Sequence, residues 1–358
     1  MGFDETEVPI ALLVDAETGQ VLFSRNSERR FVPASITKAM TLYTAFDLIA
    51  DKKLDLRQSL VVRPETWREW RAKGSRMFLN AEERVPVASL LTGIATVSAN
   101  DAAIVLAEGA LGSVPAWTAQ MNAKAREIGM TQSHFGTPNG WPDEGYTFTT
   151  ARDLAVLGTA LVRDHPRAFA RFVGQPSFRY NRITQRNYDP LLGRVEGADG
   201  VKTGYTNEAG FGFLGTAKRG DRRLIVVVAG VDRSAVRARA ARSLMEWGFD
   251  AFDQLRLFGE TEVIGFARVQ DGARRFVPLV SDGPITISVP RERAGDVRLS
   301  VIYDGPLRAP IAAREVVATL EIDAPGMDRV SVPLLARESV VKAGFLSRIA
   351  NGIAGWFA

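Results

Sequence analysis

The stretch Pro33-Ala34-Ser35-Ile36-Thr37-Lys38 constrains the fold of this chain more than any other. Pro33, just ahead of a long apolar-periodic segment, marks a helix start, because its fixed φ suits the first turn and its missing N–H is not needed there. Ile36, Met40, Tyr43, Phe46 and Ile49 then recur at three- or four-residue steps, which predicts a buried helix running to about Ala50. Ser35 and Lys38 lie three apart, on one face of its first turn. A serine hydroxyl is a poor nucleophile unless a base takes its proton, and a lysine can be that base only when neutral. Burial at the foot of a core helix, near other cations, moves a lysine pKa in the required direction. The helix start also leaves unpaired N–H groups that can receive an oxyanion. Alone, Ser-x-x-Lys equally describes a surface serine and lysine in a helix cap.

Two further stretches change that balance. Ser98-Ala99-Asn100 sits in a turn between the apolar runs 90–97 and 101–107, both helical in character. Lys202-Thr203-Gly204 opens Tyr205-Thr206 and precedes a strand-like run from Gly210 to Ala217. Ser-x-x-Lys, Ser-Asp-Asn and Lys-Thr-Gly form the signature set of class A β-lactamases and penicillin-binding proteins. All three occur here in that order, with Ala99 in the middle position of the second. Each is weak alone; the ordered trio is a strong signal.

Composition limits the alternatives. With 358 residues there is length for two or three domains. The chain has no cysteine, which removes disulfides and thiolate metal sites, and its only histidines are His134 and His165, so a histidine-rich metal centre is not expected. A Ser-His-Asp triad would need one of them, and no Gly-x-Ser-x-Gly occurs. A net charge of +4, with Lys and Arg dispersed, suits anionic polymers or membranes and gives no argument for nucleic acid. Met1 to Glu7 is acidic and lacks the apolar core of a signal peptide, which read literally means cytoplasm. No run approaches the length of a membrane-spanning helix.

Taken in order, residues 9–24 predict two strands around the turn Glu17-Thr18-Gly19-Gln20. Residues 65–71 read as a short helix or lid with Trp67 and Trp70 packed inward. Gly74 to Asn80 is a loop leading into a strand. Segments 86–97, 101–111, 115–128 and 151–163 form a helical cluster, joined by the turn-rich 131–140. His134 has the chemistry for catalysis, although a lone histidine in such a loop more often pins it by hydrogen bonds. His165, before Pro166, reads as a surface turn residue. From 171 to 230 the pattern changes to strands, with Arg223 to Gly230 suited to a buried central one. Residues 234–256 return to a helix, with Ala238, Leu244, Trp247 and Phe252 inward. Six short strand candidates follow, at 263–269, 275–280, 285–289, 297–303, 315–322 and 330–335, spaced as in a small β-sandwich. In 336–358, Val341, Phe345, Ile349, Ile353, Trp356 and Phe357 share one half of a helical wheel, with Ser347, Arg348 and Asn351 opposite, an amphipathic helix suited to a membrane interface.

The motifs, together with Gly74 to Leu79, Ser133 to Gly140 and Gly197 to Gly204, resemble the low-molecular-mass penicillin-binding proteins that act as D-alanyl-D-alanine carboxypeptidases, nearly end to end. The resemblance implies an α/β domain of β-lactamase/transpeptidase type at 1–256, its antiparallel sheet flanked by helices, then a β-sandwich at 257–335 and a membrane-anchoring helix at 336–358. It implies a periplasmic protein attached to the outer face of the inner membrane, with Met1 standing where an export signal has been removed. The expected partners are the D-Ala-D-Ala end of the peptidoglycan stem peptide, β-lactams and the membrane surface, with no cofactor or metal.

Carried over residue by residue, the resemblance makes Ser35 the nucleophile, Lys38 its base and Ser98 the proton relay. Asn100 would supply an amide to the substrate backbone and hold Lys38. Lys202 would keep Lys38 neutral and, with Thr203, attract a terminal carboxylate. Backbone N–H groups of Ser35 and Tyr205 would form the oxyanion hole, and Gly204 would let the substrate approach the strand. A carboxylate-binding arginine falls at Arg237, with Arg186 second; Ser75 and Arg76 border the site. Tyr205 stands where relatives carry a histidine or another residue. Open alternatives are a D,D-endopeptidase, a class A-like β-lactamase, opposed by the second domain, the tail and Ala99, and a non-enzymatic membrane-bound peptidoglycan scaffold, which would not need both lysines.

Overall fold

The hairpin at the start of the chain forms one edge of its main sheet. β1 (Ile10–Asp15) and β2 (Val21–Arg25) meet at a turn that uses Gly19 at φ +73°. In the computed structural model, which describes residues 5–344, the chain forms two units, Met1–Phe249 and Asp250–Ala358. A single 3-10 turn, Ala34–Ile36, leads into α1 (Thr37–Ala50). There follow β3 (Ser59–Val61), α2 (Pro64–Trp70) and β4 (Arg84–Pro86). The helical cluster comprises α3 (Val87–Val97), α4 (Asn100–Leu111), α5 (Val114–Glu127), α6 (Ala151–Asp164) and α7 (Pro166–Phe172). A small hairpin, β5 (Ser177–Tyr180) and β6 (Ile183–Arg186), precedes the long strands β7 (Ala198–Thr206), β8 (Gly210–Arg219) and β9 (Arg222–Val231), and α8 (Ser234–Ala251) ends the unit.

The five-stranded sheet is antiparallel in the order β2-β1-β9-β8-β7, with Leu12 of β1 opposite Val227 of β9. Both of its faces are covered. Gly158 of α6 lies against Ile225 and Leu214, and Gly248 of α8 lies against Leu13 and Leu224, which point to the other face. Two buried faces explain why β1 and β9 read as continuous apolar runs instead of alternating. α1 is the core helix, packed on α3, α5 and α6, and even Lys38 is fully buried in it.

In the second unit, β10 (Phe252–Phe258) pairs with β13 (Ile285–Pro290). The larger sheet contains β11 (Gly265–Gln270), β12 (Phe276–Val280), β14 (Arg298–Ile302), β15 (Leu307–Arg308), β16 (Val316–Asp323) and β17 (Val330–Ala336), in the order β14-β16-β17-β12-β11-β15. Ile285, Ile287 and Val289 of one sheet join Val277, Leu320 and Leu334 of the other in a single apolar core, the arrangement of a β-sandwich.

Three expectations need correction. The helix predicted to 256 stops at Ala251, because pairing with β13 takes the backbone from Phe252 onward into a strand. His165 is not a surface turn residue: it is buried, edge-on to Tyr43 and Phe46, and Pro166 starts α7 immediately after it. The described start of the predicted terminal helix is not helical, since Val340 and Lys342 form bridges with Ile311 and Gly272. Residues 345–358 of that helix lie outside the described residues.

Candidate active site

Ser35 stands in the turn Ala34–Ile36, where β7 and the loop 137–140 close on it. Ala34 has φ +49°, an uncommon value for a residue with a side chain. A Cβ on Gly204 would come within 2.5 Å of the Pro33 carbonyl, and one on Gly140 within 1.8 Å of the Ala34 carbonyl. Glycine is therefore required on both sides of the turn. The three-residue spacing read from the sequence brings Lys38 Nζ to 2.8 Å from Ser35 Oγ. The amine also donates to the Asn139 carbonyl at 2.6 Å. Burial, and after it the positive charge of Lys202, holds Lys38 well below the usual amine range, with Asp101 opposing. Both effects favour the neutral amine that a base requires.

Ser98 caps α3 in the left-handed region, at φ +61°, and its Oγ is buried without a partner in the protein. Asn100 begins α4; its side chain donates to the Lys73 carbonyl at 3.2 Å and its N–H to the Ser75 carbonyl at 2.8 Å. The contact that the sequence reading assigned to Asn100, holding Lys38, is made by the Asn139 carbonyl instead. On β7, Lys202 is buried and donates to the Thr203 carbonyl at 3.1 Å. Burial lowers its pKa to about 7, Asp189 opposing and Arg237 adding to the shift. Tyr205 is half exposed and stacks on Phe211 at 4.2 Å, its hydroxyl bonded to Asn207. Arg237, on α8, reaches the Gly212 carbonyl at 3.2 Å and lies buried beside Phe213.

Ser35, Ser98, Asn100, Thr203, Tyr205 and Arg237 line one cavity of about 690 Å³, with Gly204 and Ser75 also on its wall. Lys38 and Lys202 lie beneath it, shielded from solvent. Arg76 turns away, onto Phe78 and a separate cavity, and Arg186 sits on the exposed hairpin strand β6, outside the cavity wall. His134 bonds the Tyr146 carbonyl through Nδ1 and bridges to Phe148, so it pins its loop. The sequence reading did not single out Asn139 as the second partner of Lys38, nor Trp141 and Tyr188, which border the cavity, nor the buried Asp189. Only the string Thr137-Pro138-Asn139-Gly140 had signalled the first of these.

A serine bonded to a buried, depressed-pKa lysine, at the edge of an antiparallel sheet and near two further cations, has the parts of a serine acyl-transfer centre in which a lysine can take the place of histidine as the base. Which class of acyl donor it serves follows from comparison with known proteins. A family model described as D-alanyl-D-alanine carboxypeptidase matches residues 4–233, and one for the C-terminal domain of penicillin-binding protein 5 matches residues 252–342. The chain belongs to the D-alanyl-D-alanine carboxypeptidase family. It is 33% identical over 343 residues to D-alanyl-D-alanine carboxypeptidase DacC of Escherichia coli, covering 94% of this chain and 85% of that one. Against D-alanyl-D-alanine carboxypeptidase DacF of Bacillus subtilis it is 29% identical, covering 98% and 90%. Penicillin binding protein 5 of Haemophilus influenzae matches with a TM-score of 0.86 at 30% identity, over 94% of this chain and 98% of that one. A penicillin-binding protein of Listeria monocytogenes, solved in its ampicillin-bound form, matches with a TM-score of 0.61 at 28% identity, over 68% and 97%.

Proposed function

We propose that this protein is a serine D-alanyl-D-alanine carboxypeptidase that trims peptidoglycan stem pentapeptides and is acylated by β-lactams. The observation that carries this reading is the 2.8 Å contact between Lys38 Nζ and Ser35 Oγ, made by an amine whose burial and cationic neighbour favour its neutral form. Lys38 takes the Ser35 proton as Oγ attacks the carbonyl between the two D-alanines. The backbone N–H groups of Ser35 and Tyr205 receive the oxyanion. Ser98, whose hydroxyl both accepts and donates, relays a proton to the departing D-alanine amine, leaving an acyl ester on Ser35. Water then cleaves the ester. Lys202, Thr203 and Arg237 attract the terminal carboxylate, and Asn100 aligns the peptide. These bond changes need neither metal nor organic cofactor.

The same reading has the protein in the periplasm, with the unit Met1–Phe249 catalytic, the unit from Asp250 carrying the β-sandwich, and the amphipathic segment at the end of the chain attaching it to the membrane surface. The direct test is intact mass after brief exposure to a penicillin, with Ser35→Ala as control, followed by assay of D-alanine release from a pentapeptide. One stable adduct, absent in the variant, together with D-alanine release, is expected. Rapid drug loss without an adduct means a β-lactamase, and neither adduct nor loss means a scaffold.

A further inference from the structure

The loop between β6 and β7 carries a buried carboxylate that the reaction above leaves unused. Asp189 Oδ1 closes a turn, accepting the N–H groups of Leu191 at 2.7 Å and Leu192 at 3.2 Å. The Asp189 N–H in turn donates to Asn187 Oδ1 at 3.0 Å. Oδ2, in contrast, is shut off from solvent and has no hydrogen-bond partner. The turn needs only one acceptor, and an asparagine would supply it equally well. A second, ionised oxygen without a bond is costly in a protein interior unless opposite charge compensates it. Here that charge is at hand: the ionic neighbours of the carboxylate are Lys202 on β7 and Arg237 on α8, and Arg237 Nε is itself buried and unbonded. Burial nevertheless pushes the Asp189 carboxyl up to about 6, so it carries its charge only above that pH.

The cations need the carboxylate as much as it needs them. Lys202 is buried near Arg237, and its charge reaches Lys38 on α1. Of the groups acting on Lys202, burial and Arg237 favour the neutral amine, and Asp189 alone favours the charged one. We infer that Asp189 is a positioning residue for carboxylate recognition, a buried counter-charge that holds Lys202 and Arg237 together so that both cations meet the terminal carboxylate of the substrate or of a penicillin. This rests on the carboxypeptidase reading and adds to it a residue that never touches the substrate.

The sign of the pH effect follows. Lys202 attracts a carboxylate only while protonated, and burial has already brought its pKa to about 7. Without the Asp189 charge the amine is left with burial and Arg237, both of which favour its neutral form, so it loses its proton at lower pH. A nearby opposite charge shifts such a group by on the order of one unit, about a tenfold change in its protonation equilibrium.

The test compares acylation of the full chain by benzylpenicillin and by its methyl ester between pH 5.5 and 9. The acid-to-ester rate ratio isolates carboxylate recognition, because changes at Ser35 or Lys38 affect both compounds. In the parent protein the ratio should be high at low pH and fall on the alkaline side. In Asp189→Asn, which retains the turn acceptor, the fall should move to lower pH by on the order of one unit, with a several-fold lower ratio at neutral pH. Asp189→Glu, which keeps the charge, should stay close to the parent profile and decides the matter if the asparagine variant does not fold. Superimposed profiles for Asp189→Asn and parent, or a glutamate variant shifted as far as loss of charge would shift it, overturn the inference. A parent protein with no preference for the acid at any pH overturns the carboxylate-binding role of Lys202 and Arg237 itself, a failure visible without any variant.

Discussion

Replacing Gly140 by alanine asks whether catalysis depends on where the Ala34–Ile36 turn lies. Gly140 has φ +69°, and an added Cβ would sit 1.8 Å from the Ala34 carbonyl oxygen and 2.8 Å from Thr37 Oγ1. Ordinary carbon–oxygen contacts do not fall below about 3 Å, so the loop or the turn must yield by about 1.2 Å. The left-handed conformation adds roughly 1–2 kcal/mol for any residue with a Cβ, which in a unit of this size lowers Tm by roughly 2–8 °C. The kinetic effect is larger in kind. A displacement of about 1 Å at a reacting atom costs on the order of 100-fold in rate, or roughly 2.7 kcal/mol of transition-state stabilisation. Gly19→Ala is the matched control, since Gly19 has φ +73° but nothing within 4 Å of its would-be Cβ. Stopped-flow acylation by a fluorescent penicillin, with Tm measured in parallel, should show both variants modestly destabilised and only Gly140→Ala slowed by on the order of 100-fold. Acylation of Gly140→Ala within threefold of the parent would refute the claim that the glycine contact positions Ser35.

Four further outcomes follow from the same geometry. Lys38→Met should lose acylation by 10²-fold or more, roughly the contribution of a general base, while Lys202→Met should move the acid limb of the acylation profile to higher pH, because the positive neighbour that depresses Lys38 is gone. Stopped-flow rates across pH read both, and an unmoved limb in Lys202→Met would contradict the electrostatic account. His165 is held below its usual pKa by burial, so the folded state binds its proton more weakly than the unfolded one. Its stability contribution is full above about pH 6.5 and is lost as pH falls through the depressed folded value, and Tm of His165→Gln should decline less steeply there than Tm of the parent. Trp117, the largest fully buried side chain, should cost roughly 3–5 kcal/mol when cut to alanine, measured by urea unfolding, and a loss under 1 kcal/mol would mean the helical cluster can close the gap.

Much of the site was legible because its chemistry sits in short local strings. Ser35 and Lys38 had to meet because three residues is close to one helical turn, and Lys202 to Tyr205 had to line one strand edge. The helices around α1 were legible for the same reason, their apolar period being long and uninterrupted. What escaped was non-local. Asn139 meets Lys38 across 101 residues, and Asp189 reaches Lys202 and Arg237 only because β7 and α8 fold beside its loop. His165 misled because a histidine before proline looks like a turn, and only the tertiary fold shows Tyr43 and Phe46 beneath it. At Phe252 helix gave way to strand because the deciding partner, β13, lies some thirty residues further on.

The clamp on Ser35 has a consequence for the life of the chain. The reactive serine is assembled from a turn near residue 35, a carbonyl at 139 and a strand at 204, so no partial chain presents it. Loop closures of that length come late in folding. On the proposed function, a β-lactam met by an unfinished chain finds nothing to acylate, and covalent labelling should count only molecules whose whole catalytic unit has closed. On that reading penicillin would serve as a probe of native assembly, and sensitivity to the drug would begin only when folding ends.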